Sequence, residues 1–392
     1  MLKSINIGTS GLIGFSKELE TISNNVANLN TPGFKGANSQ FAALFSAGGN
    51  SAGAGAGKTG THSGSGLGTL PTMVDFTQGP INQTTSDLDV AIDGNGFFVL
   101  HDAAGNTSYT RDGRFNFNND GILTNAAGDK VQQLSAEGAL KDITLEGSRI
   151  NAALPSTSIK LGGSLSLAES PKVVSGINVI DSVGANRALS VEFKNNGAVT
   201  AGSWLVTIKD GTTTVGSGEV RFIDGKLDPA RSTVSFNYAP ADAAKMPMTL
   251  TLNAGMTVLP AGLANISTPT VDGYGQGALS KVTFDKAGKM VINYSNGQTS
   301  SGQQLALAQV NTATDLDQVG GNTFKSTNSQ AVKLGVAGED GSAISAKSVE
   351  GSNVDLSKAF SAIIVTQRGY QASSELISTA NEMLDTLMRM KG

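Results

Sequence analysis

The chain has 392 residues, enough for two or three domains, with 49 glycines, only 15% charged residues and a net charge of −4. It has no cysteine, which removes disulfides, thiol nucleophiles and thiolate metal sites together. No basic run and 5% aromatic residues leave no electrostatic footprint for nucleic acid, and no apolar run is long enough for membrane insertion.

The N-terminal stretch carries apolar residues at Leu12, Phe15, Leu19, Ile22, Val26 and Leu29, with Ile5 and Gly8 extending the row backwards. The gaps of 3, 4, 3, 4 and 3 are a heptad seam, which predicts a helix packed on another helix. Pro32 and Gly33 predict its end. Asn24, Asn25 and Asn28 are poor helix formers; they either fix register inside a bundle or face solvent or a channel.

A short apolar cluster follows at Phe34, Phe41, Leu44 and Phe45. From Ser46 to Gly68 the chain is mostly Gly, Ser, Ala and Thr, so 41–69 is expected to be a flexible linker, ordered as a hairpin only if neighbours hold it. Within it Ala52 to Thr59, AGAGAGKT, imitates a phosphate-binding loop. No buried strand precedes it and no helix can start after it, so nucleotide binding is rejected.

Residues 70–150 alternate as β, with strands at Leu88–Ile92, Phe97–Leu100, Ser108–Arg111 and Phe115–Phe117. Turn dipeptides separate them, as at Asp93-Gly94 and Asp112-Gly113. Residues 151–275 continue as β with different spacing. Strands are expected at Leu189–Phe193, Trp204–Ile208, Glu219–Ile223, Val234–Tyr238 and Thr249–Leu252, with Trp204 as core packing. The first character returns in 276–349, where Lys281–Asp285 and Lys289–Tyr294 flank a turn and Gly302–Asn311 and Ala331–Gly338 read as strands.

The last stretch, Leu356 to Met390, places Phe360, Ile363, Tyr370, Ile377, Leu384 and Leu387 on one helical stripe, with Asn353 or Asp355 as cap. At 1.5 Å per residue such a helix is roughly 50 Å long and needs partners along its length. Pairing the two ends (1–40 with 350–392) as a helical stalk leaves two nested, mainly β domains between them. The multidomain fold is therefore an α-helical terminal stalk plus two β domains. A two-helix stalk still exposes apolar surface, and copies of itself are its natural cover.

Stretches at both ends of the chain and in its first β region carry a resemblance. Asn24 to Lys35, NNVANLNTPGFK, resembles the N-terminal signature of bacterial flagellar rod and hook axial proteins, with Asn24, Asn25, Asn28, Thr31, Pro32, Gly33, Phe34 and Lys35 as its motif. Ser352 to Leu387 resembles the C-terminal signature of that family. Ser86–Leu100 and Tyr109–Leu123 resemble its shared β domain. The resemblance implies a self-assembling helical homopolymer at the cell surface. It also implies export through the flagellar type III machinery without a cleaved signal, with rod, hook cap and hook–filament junction proteins as partners. Within the family, the insertion 151–275 favours a hook subunit over a distal rod subunit; a secreted β-rich adhesin is the reading from another class. The long Gly/Ser segment leaves the stiffness of the polymer open, because an insertion near this point is associated with the rigid rod.

An enzyme is not expected. His62 and His101 stand apart from any metal-spaced cluster, no G-x-S-x-G elbow occurs, and no cofactor motif survives inspection. Asp87, Asp89 and Asp93 lack the third ligand of a calcium loop, and Asn116, Asn118 and Asp120 fit a hairpin turn better. Before assembly each terminal helix lacks neighbours, so residues 1–68 and 350–392 are expected to be mobile in the monomer and helical in the polymer.

Overall fold

The structure is a computed structural model that describes residues 2–46, 63–135, 137–310, 315–320, 322–338 and 341–391. They form two compact units. The first comprises Met1–Leu145, Val282–Val291 and Ser301–Gly392, and the second Glu146–Lys281 and Ile292–Ser300. The second unit thus begins before residue 151 and extends past residue 275. Its entering and leaving segments pair with each other, Ile150 opposite Ala278 and Asn151 opposite Gly277.

In the first unit α1 (Leu2–Ala27) lies against α2 (Leu356–Lys391). Asp355 caps α2, its Oδ1 accepting from Ser357 N at 2.8 Å and Lys358 N at 3.1 Å. Asn353 is employed differently: its Oδ1 accepts from Gly36 N and its Nδ2 donates to Asp75 O.

The expected linker is partly a ladder. Phe41–Ser46 pairs antiparallel with Ser63–Thr69, and this ribbon lies on α1. A Cβ at Gly14 would stand 2.7 Å from Leu67 and 3.3 Å from the Phe41 ring, and one at Gly66 would collide with Ser10. Leu67 N also bonds to Ser10 Oγ at 3.1 Å. Neighbours therefore hold the ribbon, through backbone pairing that a composition argument about apolar burial does not count. The phosphate-loop mimic 52–59 and His62 lie outside the described residues.

The β part of this unit mixes early and late strands. Phe97–His101 pairs with Thr107–Thr110, Lys130–Leu134 and the late strand Ala306–Val310, which in turn pairs with Val332–Val336. Val90–Asp93 pairs with Ala343–Ala346, and Ile81–Gln83 with Ser348–Glu350. Phe97, Val99, Tyr109, Ala308 and Phe324 share one buried cluster. At Asn116–Asp120 Asn118 Oδ1 accepts from Ile122 N, the geometry of a turn.

The second unit is built on an antiparallel meander of Lys172–Ile180, Asn186–Asn195, Ser203–Asp210 and Thr213–Ile223. A second sheet orders Thr233–Tyr238, Met246–Leu252, Ser158–Leu161 and Thr270–Val271, with Ser158–Leu161 parallel to Met246–Leu252. The two sheets share one core in which Trp204, Phe193 and Tyr238 are fully buried. The sheets approach closely at Gly216 and Gly218, where a Cβ would stand 2.5 Å from Phe236 and Val234.

Candidate assembly site

The helix pair meets through small residues. Ala359, Thr366, Ser373 and Ala380 recur at heptad spacing on α2 and are all buried. Opposite Ser373 and Ile377 α1 presents glycine: a Cβ at Gly8 would stand 2.7 Å from Ile377, and one at Gly11 2.7 Å from Ser373 Oγ. Phe15 fills the space over Gly369, where a Cβ would stand 2.6 Å from the ring. Small side chains let the backbones approach closely and leave little room for large ones at the contact.

The predicted seam residues divide accordingly. On α1, Ile22 is buried and Leu12, Phe15, Leu19 and Val26 are half-buried; Leu29, also half-buried, lies beyond the helix end in the following turn. On α2, Ile363, Ile377 and Leu384 are half-buried. Phe360, Tyr370 and Leu387 are not buried within the chain: they are 53%, 42% and 47% exposed. Ile364, Leu376, Met383 and Met390 extend this outward apolar surface. Periodicity marked only large side chains, whereas the contact within the chain sets small residues of one helix against Phe15 and Ile377 as well as against one another.

The N-terminal motif is a turn that fastens α1 to the β part of its unit. Asn25 grips the backbone of Ala37 from both sides, its Oδ1 accepting from Ala37 N at 3.0 Å and its Nδ2 donating to Ala37 O at 2.7 Å. Asn28 Nδ2 donates to Asn24 Oδ1, and Asn28 Oδ1 accepts from Thr31. These asparagines therefore serve the chain's own turn. Pro32 O accepts from Asn322 Nδ2, and Phe34 is buried. Gly33 has φ +70° and passes so close to Asp112 N and Arg111 C that no Cβ fits.

Beside it lies a buried ionic cluster. The Glu350 carboxylate, 0% exposed, accepts from Lys35 Nζ at 2.6 Å and Gly79 N at 2.8 Å on one oxygen and from Arg111 Nη1 at 2.9 Å on the other. Lys35 Nζ also donates to Thr77 O, and Arg111 Nη2 to Gly94 O. Burial pulls the Lys35 ammonium below the usual lysine range, against the hydrogen bond and charge of Glu350; burial likewise lowers Arg111. Of this cluster the motif had flagged Lys35 alone; Arg111, beside Asp112 and Arg114, and Glu350, three residues after Lys347, stand out from neither neighbourhood.

Among the described residues, no group of three or more His, Cys, Asp or Glu side chains is placed to hold a metal ion, and no helix is long and apolar enough to cross a membrane.

A helix pair made from both chain ends and fastened by a turn to the β part of its unit fits a structural subunit of the flagellar axial class. Three family models match in chain order: Flagella basal body rod protein at 5–35, Flagellar hook protein FlgE/F/G D1 domain at 91–201, and Flagellar basal body rod FlgEFG protein C-terminal at 345–390. The flagellar hook protein FlgE of Escherichia coli is 30% identical, the alignment covering 97% of this chain and 98% of that protein. The hook protein of Brucella suis is 30% identical over 98% of each. The solved structure of Helicobacter pylori flagellar hook protein FlgE2 aligns with 69% of this chain and 100% of its own at a TM-score of 0.46 and 11% identity. The chain belongs to the flagellar hook protein family.

Proposed function

We propose that this chain is the subunit of a flagellar hook, self-assembling into a curved, flexible tube that passes torque from rod to filament. The observation that carries the reading is the division of labour on α2. Ala359, Thr366, Ser373 and Ala380 are buried, while the large apolar residues Phe360, Ile364, Leu376 and Met383 are left exposed on α2. An apolar row of this kind is buried when copies pack side by side. Leu12, Leu19, Leu384 and Leu387 flank the pair and join that contact.

The remaining partners follow from the family. The subunit meets rod, hook cap and hook–filament junction proteins, and leaves the cell through the flagellar export machinery without signal cleavage. Mass spectrometry of assembled hooks tests the last point: a terminal peptide starting at Met1 or Leu2 is expected, and one starting deeper in α1 overturns it.

Replacing Phe360 and Leu376 together by Asp tests the assembly reading. The expected product is a folded, secreted monomer with native β-sheet circular dichroism and no tubes by electron microscopy. Normal tubes would remove α2 from the polymer contact. In cells lacking the gene, basal bodies should show a complete rod with nothing beyond it; a truncated rod would move the assignment to a rod subunit.

A further inference from the structure

Lys35, Arg111 and Glu350 bring together three parts of the chain that are remote in sequence: the turn after α1, the early β segment and the strand that leads into α2. All three side chains are at most 4% exposed. The cluster holds two cations and one anion, so it is not a neutral pair. Arg111 further leaves its Nε buried without a partner. A site selected for stability alone would be filled by apolar side chains of similar volume. Its arrangement makes sense as a condition on placement. Without Glu350, Lys35 and Arg111 are two buried cations with no anion between them, and the Arg111 charge depresses the charged form of Lys35. The backbone is drawn in at the same point: Gly33 N donates to Glu350 O at 2.8 Å, and Gly79 N to its carboxylate.

We propose that Glu350 is the keystone of a latch that fixes the exit of α1 and the entry of α2 to the β body together, so that neither chain end is held in place without the other. Lys35 and Arg111 are its positioning residues. The latch also marks where the body ends: Gly33–Gly36 and Gly351–Asn353 belong to it, and the helices extend beyond it.

The test is amide hydrogen exchange on the dilute full-length monomer, which reads the latch whether or not the protein polymerises. Glu350→Gln keeps the shape and removes the charge. Exchange at Gly33–Ala37, Gly79 and Gly351–Asn353 should rise at least roughly a hundredfold, with Phe97–His101 unchanged. Lys35→Met, which leaves one cation on one anion, should raise it far less. The double variant Lys35→Met with Glu350→Gln should recover part of the protection lost by Glu350→Gln alone, because one uncompensated charge replaces two. Packing alone would make the double variant worse than either single one, and that result overturns the proposal. So does unchanged exchange in Glu350→Gln, or loss confined to one chain end. If Glu350→Gln fails to fold, the recovery is read on the yield and exchange of the double variant, and a double variant equally unfolded also overturns it.

Discussion

Lys35 and Glu350 are 315 residues apart in sequence, yet their charged groups meet at 2.6 Å with both side chains shielded from water. Breaking such a pair costs far more than breaking an exposed one, because the survivor is left charged in a poor solvent. Glu350→Ala should therefore lower the stability of the first unit by about 3–5 kcal/mol in denaturant titration. Lys130→Ala, which breaks a half-exposed pair with Asp142, should cost under about 1 kcal/mol. Equal effects would contradict the burial argument.

Gly33 should tolerate substitution less than any helical glycine of the stalk. Its φ is +70°, and a Cβ would meet the backbone of Arg111 and Asp112, which cannot turn aside as a side chain can. Gly33→Ala should cost about 2 kcal/mol or more. Gly11→Ala, whose added methyl meets only the movable Ser373 hydroxyl, should stay below about 1 kcal/mol. Thermal melts of the two variants decide the order.

The second unit should be acid-sensitive in a defined window. Burial raises the Asp181 pKa, but hydrogen bonds from Ala185 N, Arg187 Nε and Val183 N outweigh it and hold the carboxyl below its usual value. Asp272 behaves in the same way, with Thr157 and Ser158 as donors. A carboxyl whose folded pKa is depressed contributes stability above its ordinary value of about 3.9, and loses it as pH falls through the folded value. The melting temperature of the second unit should be level from about pH 7 to 5 and drop below about pH 4. Asp181→Asn should flatten that drop.

Hydrogen exchange should show where order begins in the free subunit. The sequence placed mobility in residues 1–68 and 350–392. The buried Gly33–Gly36 turn and the Ser352–Asn353 bonds narrow it to the helices and the ribbon on α1. Amides of α1 and α2 should exchange rapidly in dilute monomer and slowly in the polymer. Strong protection of both helices in the monomer would show that their mutual contact suffices.

Both helices and the β character of the chain between them were readable because periods of 3.5 and 2 residues are properties of the backbone that side chains report directly, although the seam ran on to Leu29, past the end of α1 at Ala27. Trp204 was recognisable as core for the same reason. The helix contact was readable only in part: Phe15 and Ile377 of the predicted seam lie in it, but Ser373 looks unremarkable in an apolar count and matters only once Gly8 and Gly11 lie opposite. The ribbon was missed because its order comes from main-chain pairing, to which Gly66 contributes no apolar surface at all. Arg111 and Glu350 were invisible for a different reason: each is one charge among 60 Lys, Arg, Asp and Glu residues, and their meeting spans 239 positions.

The interruption of the first unit by the second has a kinetic consequence. The main stretch of the second unit, Glu146–Lys281, is continuous, so most of its pairings join neighbouring strands and close short loops. The pairings of Ile81–Gln83 with Ser348–Glu350 and of Val90–Asp93 with Ala343–Ala346 close loops of some two hundred and fifty residues. Once the insert has folded, that loop is effectively shortened by more than a hundred residues. Refolding should therefore show two phases: a fast one reported by Trp204 fluorescence, and a slower one in which the outer strands register.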